Sequence, residues 1–105
     1  MKVNHHRATR YSFSADIAVT DVRSEKQVIA RTADLSLFGC FANTTTPFPR
    51  GTMVRLRINR GTSHVTALGT IAYSLAKEGM GIEFGKIEPS DLAILEDWLA
   101  QLRKK

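Results

Sequence analysis

The sequence predicts an all-β domain with one C-terminal helix, built as a six-stranded antiparallel barrel. Three observations predict it. Apolar and polar residues alternate through several short segments between Phe13 and Phe84, the period of a half-buried strand. Turn-forming residues separate those segments. After Phe84 the period changes, and Leu92, Leu95, Trp98, Leu99 and Leu102 recur at helical spacing.

Phe13, Ala15, Ile17 and Val19 alternate with Ser14, Asp16 and Ala18 as one strand. The charged stretch Asp21 to Lys26 reads as a hairpin connection, and Gln27 to Ala33 as the second strand. Asp34 to Gly39 breaks the run as a turn-like hexad. Cys40 to Asn43 forms a short third strand, and Pro47, Pro49 and Arg50-Gly51 mark a loop. Met53 to Ile58 sets Val54, Leu56 and Ile58 on one face. Arg55 and Arg57 stand on the other, which reads as a solvated face or a partner surface. Asn59-Arg60-Gly61 turns the chain into a long strand, Ser63 to Leu75. Tyr73 is in phase there with Val65 and Ile71, which points it into the core; a bend near the strand end would carry it to the rim. Lys77-Glu78-Gly79 is a further turn before the last strand, with Met80, Ile82 and Phe84.

The helix is signalled by charge as well as period. Pro89 sits near its start, where a missing N–H costs no hydrogen bond. Glu88 and Asp91 lie at its positive end, and Arg103, Lys104 and Lys105 at its negative end. Its apolar stripe is expected to pack against the barrel. The layout is thus a basic arm over residues 1–10, a barrel over 11–87 and a helix over 88–105, together one domain.

Bulk properties narrow the function. A chain of 105 residues, 43% hydrophobic and 24% charged, suits a single globular domain. Fifteen Lys and Arg against ten Asp and Glu give a formal charge of +5, compatible with an anionic partner. The single cysteine, Cys40, can build neither an internal disulfide nor a Cys-rich zinc site, and a reducing cytoplasmic setting is expected. No apolar run approaches a membrane span, and no signal peptide is recognisable. His5 and His6 project to opposite sides of an extended chain and His64 is remote in sequence, so no metal is expected. Neither a P-loop, a dinucleotide-binding turn nor a catalytic triad setting is present. The chain is therefore read as a non-enzyme without a cofactor.

Two segments carry the functional signal. One is the basic arm His6-Arg7-Ala8-Thr9-Arg10; the other is Asp34-Leu35-Ser36-Leu37-Phe38-Gly39. In this order, one hairpin apart, they resemble the paired signature of PilZ domains. That signature is two arginines four apart, often with another arginine after the first, then Asp or Asn, x, Ser, x, x, Gly. Asp34, Ser36 and Gly39 match the second half. Arg10 matches the last arginine and Arg7 the additional one, while His6 stands where the first arginine is expected. Met80-Gly81-Ile82-Glu83-Phe84 is similar to the strand that closes the family's barrel, and the Leu-rich helix after it is also typical.

The resemblance implies a receptor for cyclic di-GMP that passes the second-messenger level to a downstream protein, or to another copy of itself. In that role Arg7 and Arg10 clamp phosphate and guanine, Asp34 and Ser36 read a guanine edge, and Gly39 shapes the turn. His6 is a weaker substitute for an arginine, and Tyr73 is the aromatic residue beside the ligand. The chemistry suits the ligand. Guanidinium pairs bidentately with phosphate or with guanine O6 and N7, and stacks on purines. An Asp carboxylate accepts from the guanine N–H donors.

Other readings stay open on sequence alone. Arg7 and Arg10 also fit a solvated tail. Asp34 and Ser36 bond local backbone readily and also fit a plain turn. His6 in place of arginine suits a PilZ-like adaptor that acts by protein contact without the nucleotide. Single-stranded nucleic acid is disfavoured, because exposed aromatics interleaved with basic residues are lacking.

Overall fold

Residues 8–104 are described by the computed structural model. A two-residue strand, β1 (Tyr11–Ser12), leads into β2 (Asp16–Asp21), β3 (Gln27–Leu35), β4 (Gly39–Asn43), β5 (Met53–Arg60), β6 (Ser63–Leu75) and β7 (Gly79–Phe84), and the chain ends in α1 (Pro89–Arg103). The strands pair antiparallel in the order β3-β2-β5-β6-β7-β4, and β4 pairs back onto β3. That last pairing closes a six-stranded barrel, leaving no long unpaired edge. The expected fold class is the one observed.

The alternation seen in sequence is the alternation of burial. Ile17, Val19, Leu56, Ile58, Val65, Ile71, Met80 and Ile82 face the barrel interior. The helix contributes Leu95, Trp98 and Leu99 to the same core. Trp98 stacks on Phe13 with ring centroids 5.5 Å apart, and the Arg60 guanidinium lies 5.3 Å from the other partner, the Phe13 ring. Asp91 does more than complement the helix dipole. Its Oδ1 accepts the Thr66 amide at 3.0 Å and so ties the first turn of α1 to β6.

Three expectations need correction. The strand expected from Phe13 to Val19 is interrupted. Phe13 and Ala15 keep their inward phase, but residues 13–15 leave the ladder between β1 and β2. The buried Thr32 hydroxyl fills the gap: Oγ1 accepts from the Ala15 amide at 2.9 Å and donates to the Phe13 carbonyl at 2.6 Å. A side chain thus satisfies backbone groups that the ladder leaves free.

The hexad Asp34–Gly39 is not all turn. Asp34 and Leu35 belong to β3 and Gly39 to β4, leaving Ser36–Phe38 to reverse the chain. Strand pairing continues further than the polar sequence suggested, because β4 pairs with both β3 and β7 and pulls both ends of the hexad into the sheet.

Tyr73 does not enter the core. The β6–β7 register shifts between Ile71 and Tyr73. This bulge at Ala72 puts Tyr73 on the outside, 43% exposed.

Candidate functional site

The outer face of the barrel around β4 and β7 gathers the motif residues. Arg10, just before β1, reaches the start of the hexad: its Nη1 donates to Asp34 Oδ1 at 2.8 Å. The same carboxylate oxygen accepts the Phe41 amide at 2.9 Å. Among the described residues both hydrogen bonds to the Asp34 carboxylate fall on Oδ1. Asp34 therefore fixes the arm's last arginine and a backbone amide of β4 together. The ion pair is partly exposed to solvent, so its own contribution to stability is small, at most about 1 kcal/mol.

Ser36 organises the reversal. It is buried, and its Oγ accepts from the Phe38 and Gly39 amides at 3.1 and 3.2 Å and meets the Gly39 carbonyl at 3.3 Å. The Ser36 amide donates back to the Gly39 carbonyl at 2.9 Å. The hydroxyl takes the place of a carbonyl in closing a tight turn.

Gly39 is required for a different reason from the one expected. It does not adopt a positive φ. A Cβ there would overlap the Ile82 carbonyl oxygen of β7, so the missing side chain permits close approach between β4 and β7, not a sharp turn.

Two aromatic rings pave the outer face over two glycines of β7. A Cβ on Gly81 would overlap the Tyr73 ring, and one on Gly79 would come within 2.7 Å of the Phe41 ring. The Phe41 and Tyr73 rings stack with centroids 6.0 Å apart and planes inclined by 26°. The bulge at Ala72 and the bare backbone of Gly81 together lay the Tyr73 ring flat against the sheet.

These features enclose a hollow of about 160 Å³. Arg10, Ser36, Gly39 and Tyr73 line it, together with Phe38, Ala72, Gly81, Ile82 and Glu83. Four residues singled out in the sequence thus converge from three separate segments, the arm, the hexad and β6, and Asp34 pairs with Arg10 beside them. His6 and Arg7 lie outside the described residues. A roomier hollow of about 400 Å³ between Tyr11 and α1 is lined by Ala8, Thr9 and Leu37, and among the described residues Arg10, Asp34, Ser36 and Gly39 are not part of it.

Phe38, Gly81 and Glu83 were not legible as site residues. Glu83 faces Gly39 across the β4–β7 ladder, a neighbourhood that no local spacing encodes. The Gly81 signal was present, because a glycine inside a strand marks close approach, but its partner ring was not identifiable.

Cys40 sits beneath the site and is buried. Burial, aided by the nearby Asp34 charge, pushes its thiol up to about 12. It is held neutral and is not a nucleophile at physiological pH. Among the described residues no group of three or more His, Cys, Asp or Glu is placed to hold a metal ion, and no helix is long and apolar enough to cross a membrane.

A closed six-stranded antiparallel barrel with a single C-terminal helix is the architecture of a PilZ-type domain. Comparison of the sequence with family models agrees, since the model described as "PilZ domain" matches residues 2–101. The chain belongs to the PilZ family, a family of cyclic di-GMP receptor domains. No curated protein matches the sequence.

Solved structures share the fold at low identity. The inhibitor of motility MotI/DgrA of Bacillus subtilis superposes with a TM-score of 0.78 at 17% identity, over 100% of this chain and 55% of that one. This chain therefore spans little more than half of that relative. The PilZ domain of CeSA from a cellulose-synthesizing bacterium gives 0.72 at 16% identity, covering 91% and 99% of the two chains. The PilZ domain of YcgR from Escherichia coli, solved with c-di-GMP, gives 0.73 at 16% identity, covering 96% and 93%.

Proposed function

We propose that the chain is a reversible cyclic di-GMP receptor that relays second-messenger level to a downstream protein by ordering its N-terminal arm over the β4–β7 face. The observation that carries this reading is the convergence of Arg10, Ser36, Gly39 and Tyr73 on one hollow. Family membership supplies the ligand class, and a PilZ structure solved with c-di-GMP supports it.

The hollow explains why an arm is needed. Its volume of about 160 Å³ is well below the ~300–1,000 Å³ of sites that engulf a ligand. It can seat one guanine against Tyr73 and leaves the rest of the dinucleotide open. Arg7 and Arg10 close over that open side and pair with phosphate and with guanine O6 and N7. His6 stands beside them as a weaker donor than an arginine.

Binding is an exchange of partners. Arg10 gives up a carboxylate and takes a phosphate or a purine edge, and Asp34 is released to accept from guanine N–H groups. The Ser36 hydroxyl, expected to read the same edge, is already spent on the turn and instead holds the hollow's floor in shape, and Gly39 keeps β4 close enough to β7 for the hollow to form. The free state is thus latched in place by an ion pair of small net value, which a doubly anionic ligand outbids at little cost. The protein does no chemistry in this scheme and needs no cofactor or metal.

Calorimetry with cyclic di-GMP tests the reading. The wild-type chain is expected to release saturable heat. Arg10→Ala is expected to weaken binding by at least about tenfold, or about 1.4 kcal/mol. His6 in the arginine motif favours a second reading, a PilZ adaptor that has lost the nucleotide. Equal absence of heat in wild type and Arg10→Ala selects that second reading.

A further inference from the structure

We propose that the outer face formed by the β2–β3 hairpin, the loop before β5, and strands β5 and β6 is a docking surface for an acidic protein segment that carries aliphatic side chains. Val22, Met53 and Leu68 are large apolar residues left 37%, 55% and 43% exposed. They are neighbours. The Val22 amide donates to the Met53 carbonyl at 3.0 Å, and Met53 stands opposite Thr70, one outward-facing position from Leu68.

Arginines surround this apolar strip. Arg23 and Arg50 flank a hollow of about 630 Å³ with Val22 and Met53 in its wall. Arg55 faces Leu68 across the ladder, and Arg57 stands two residues further along the same face. Internal neutralisation is slight. Arg55 meets Glu25 at 3.3 Å. Among the described residues, Arg23, Arg50 and Arg57 pair with no carboxylate. The one carboxylate lining the hollow, Asp21, is turned to its own loop, accepting the Arg23 and Ser24 amides at 2.9 and 3.4 Å.

This chemistry selects its occupant. Arg and Met are enriched at protein interfaces, where an aliphatic anchor is ringed by groups that fork onto carboxylates. A second copy of the chain is a poor match, since an isologous contact sets arginines against arginines. Single-stranded nucleic acid would want exposed aromatic rings, and the strip has none. The surface uses none of the residues assigned to nucleotide binding, so it stands or falls independently of that reading.

The test follows amide shifts of the full chain as defined probes are added. They are an Asp/Glu- and Leu-rich peptide of about 15 residues, the same peptide with Ser for Leu, a Lys/Leu analogue, phosphatidylglycerol vesicles and a single-stranded oligonucleotide. The acidic Leu peptide is expected to move Val22, Arg23, Arg50, Met53, Arg55, Arg57 and Leu68 saturably, and to bind at least about tenfold more tightly than every other probe. The double variant Arg50→Glu/Arg57→Glu is expected to weaken it by about tenfold or more, and Met53→Ala by several-fold, with cyclic di-GMP uptake unchanged. The proposal is overturned if the shifts fall elsewhere, if the variants bind as wild type does, or if vesicles or oligonucleotide bind this face more tightly.

Discussion

The Tyr73 ring rests on the bare backbone of Gly81, the residue paired with it across the β6–β7 ladder. A methyl group at Gly81 occupies the space of that ring. Gly81→Ala is therefore expected to lift Tyr73 off the sheet, loosen its stack on Phe41 and distort the hollow. The cost should be no more than about 1 kcal/mol of stability, because the ring is partly exposed and can swing aside. Chemical denaturation measures it. Tyr73→Ala in the Gly81→Ala background should recover part of the loss, because it removes the ring that the methyl strikes.

Tyr73→Ala alone separates folding from binding. The ring is exposed and its removal should change stability by less than about 1 kcal/mol. Loss of a stacking platform should weaken cyclic di-GMP binding by about 1–3 kcal/mol. Denaturation and calorimetry on the same sample read the two effects.

Thr32 carries a larger structural load than its size suggests. Its hydroxyl serves the Ala15 amide and the Phe13 carbonyl. Thr32→Val keeps the shape and strands both buried groups. Each unsatisfied group costs about 1–3 kcal/mol, so the melting temperature should fall by roughly 10 °C or more.

Cys40 predicts an alkaline limit. Its folded thiol is raised to about 12 from an ordinary value of 9.0. The folded state holds the proton while the unfolded state loses it. The stabilisation is present below about pH 9 and is lost as pH rises toward 12, because there the unfolded chain binds fewer protons. Cys40→Ala should remove this part of the alkaline decline in a pH series of denaturation curves. In the native wild type the thiol should resist thiol reagents at pH 8 and react only on unfolding.

Much of this was legible in the sequence because burial repeats at a fixed period. Ile17, Val19, Leu56, Ile58, Val65 and Ile82 announce their strands by alternation, and Leu95, Trp98 and Leu99 announce the helix by spacing. Asp34, Ser36 and Gly39 were recognisable by spacing, yet the physical work of Gly39 was not: it makes room for the Ile82 carbonyl in a strand far away in sequence. The bulge at Ala72 was hidden for a related reason. Periodicity assumes an unbroken ladder, and one extra residue turns Tyr73 from core to surface. Glu83 entered the hollow only through β4–β7 pairing, which local pattern does not specify.

Nucleotide binding turns on opening the Arg10–Asp34 latch, and an amide-shift titration with cyclic di-GMP reads that opening. Saturable movement of Arg10, Asp34, Ser36, Gly39, Tyr73 and Gly81 is expected, while the far-side strand residues Arg55 and Arg57 stay in place. A saturating dose that leaves Arg10 and Asp34 where they were would contradict it.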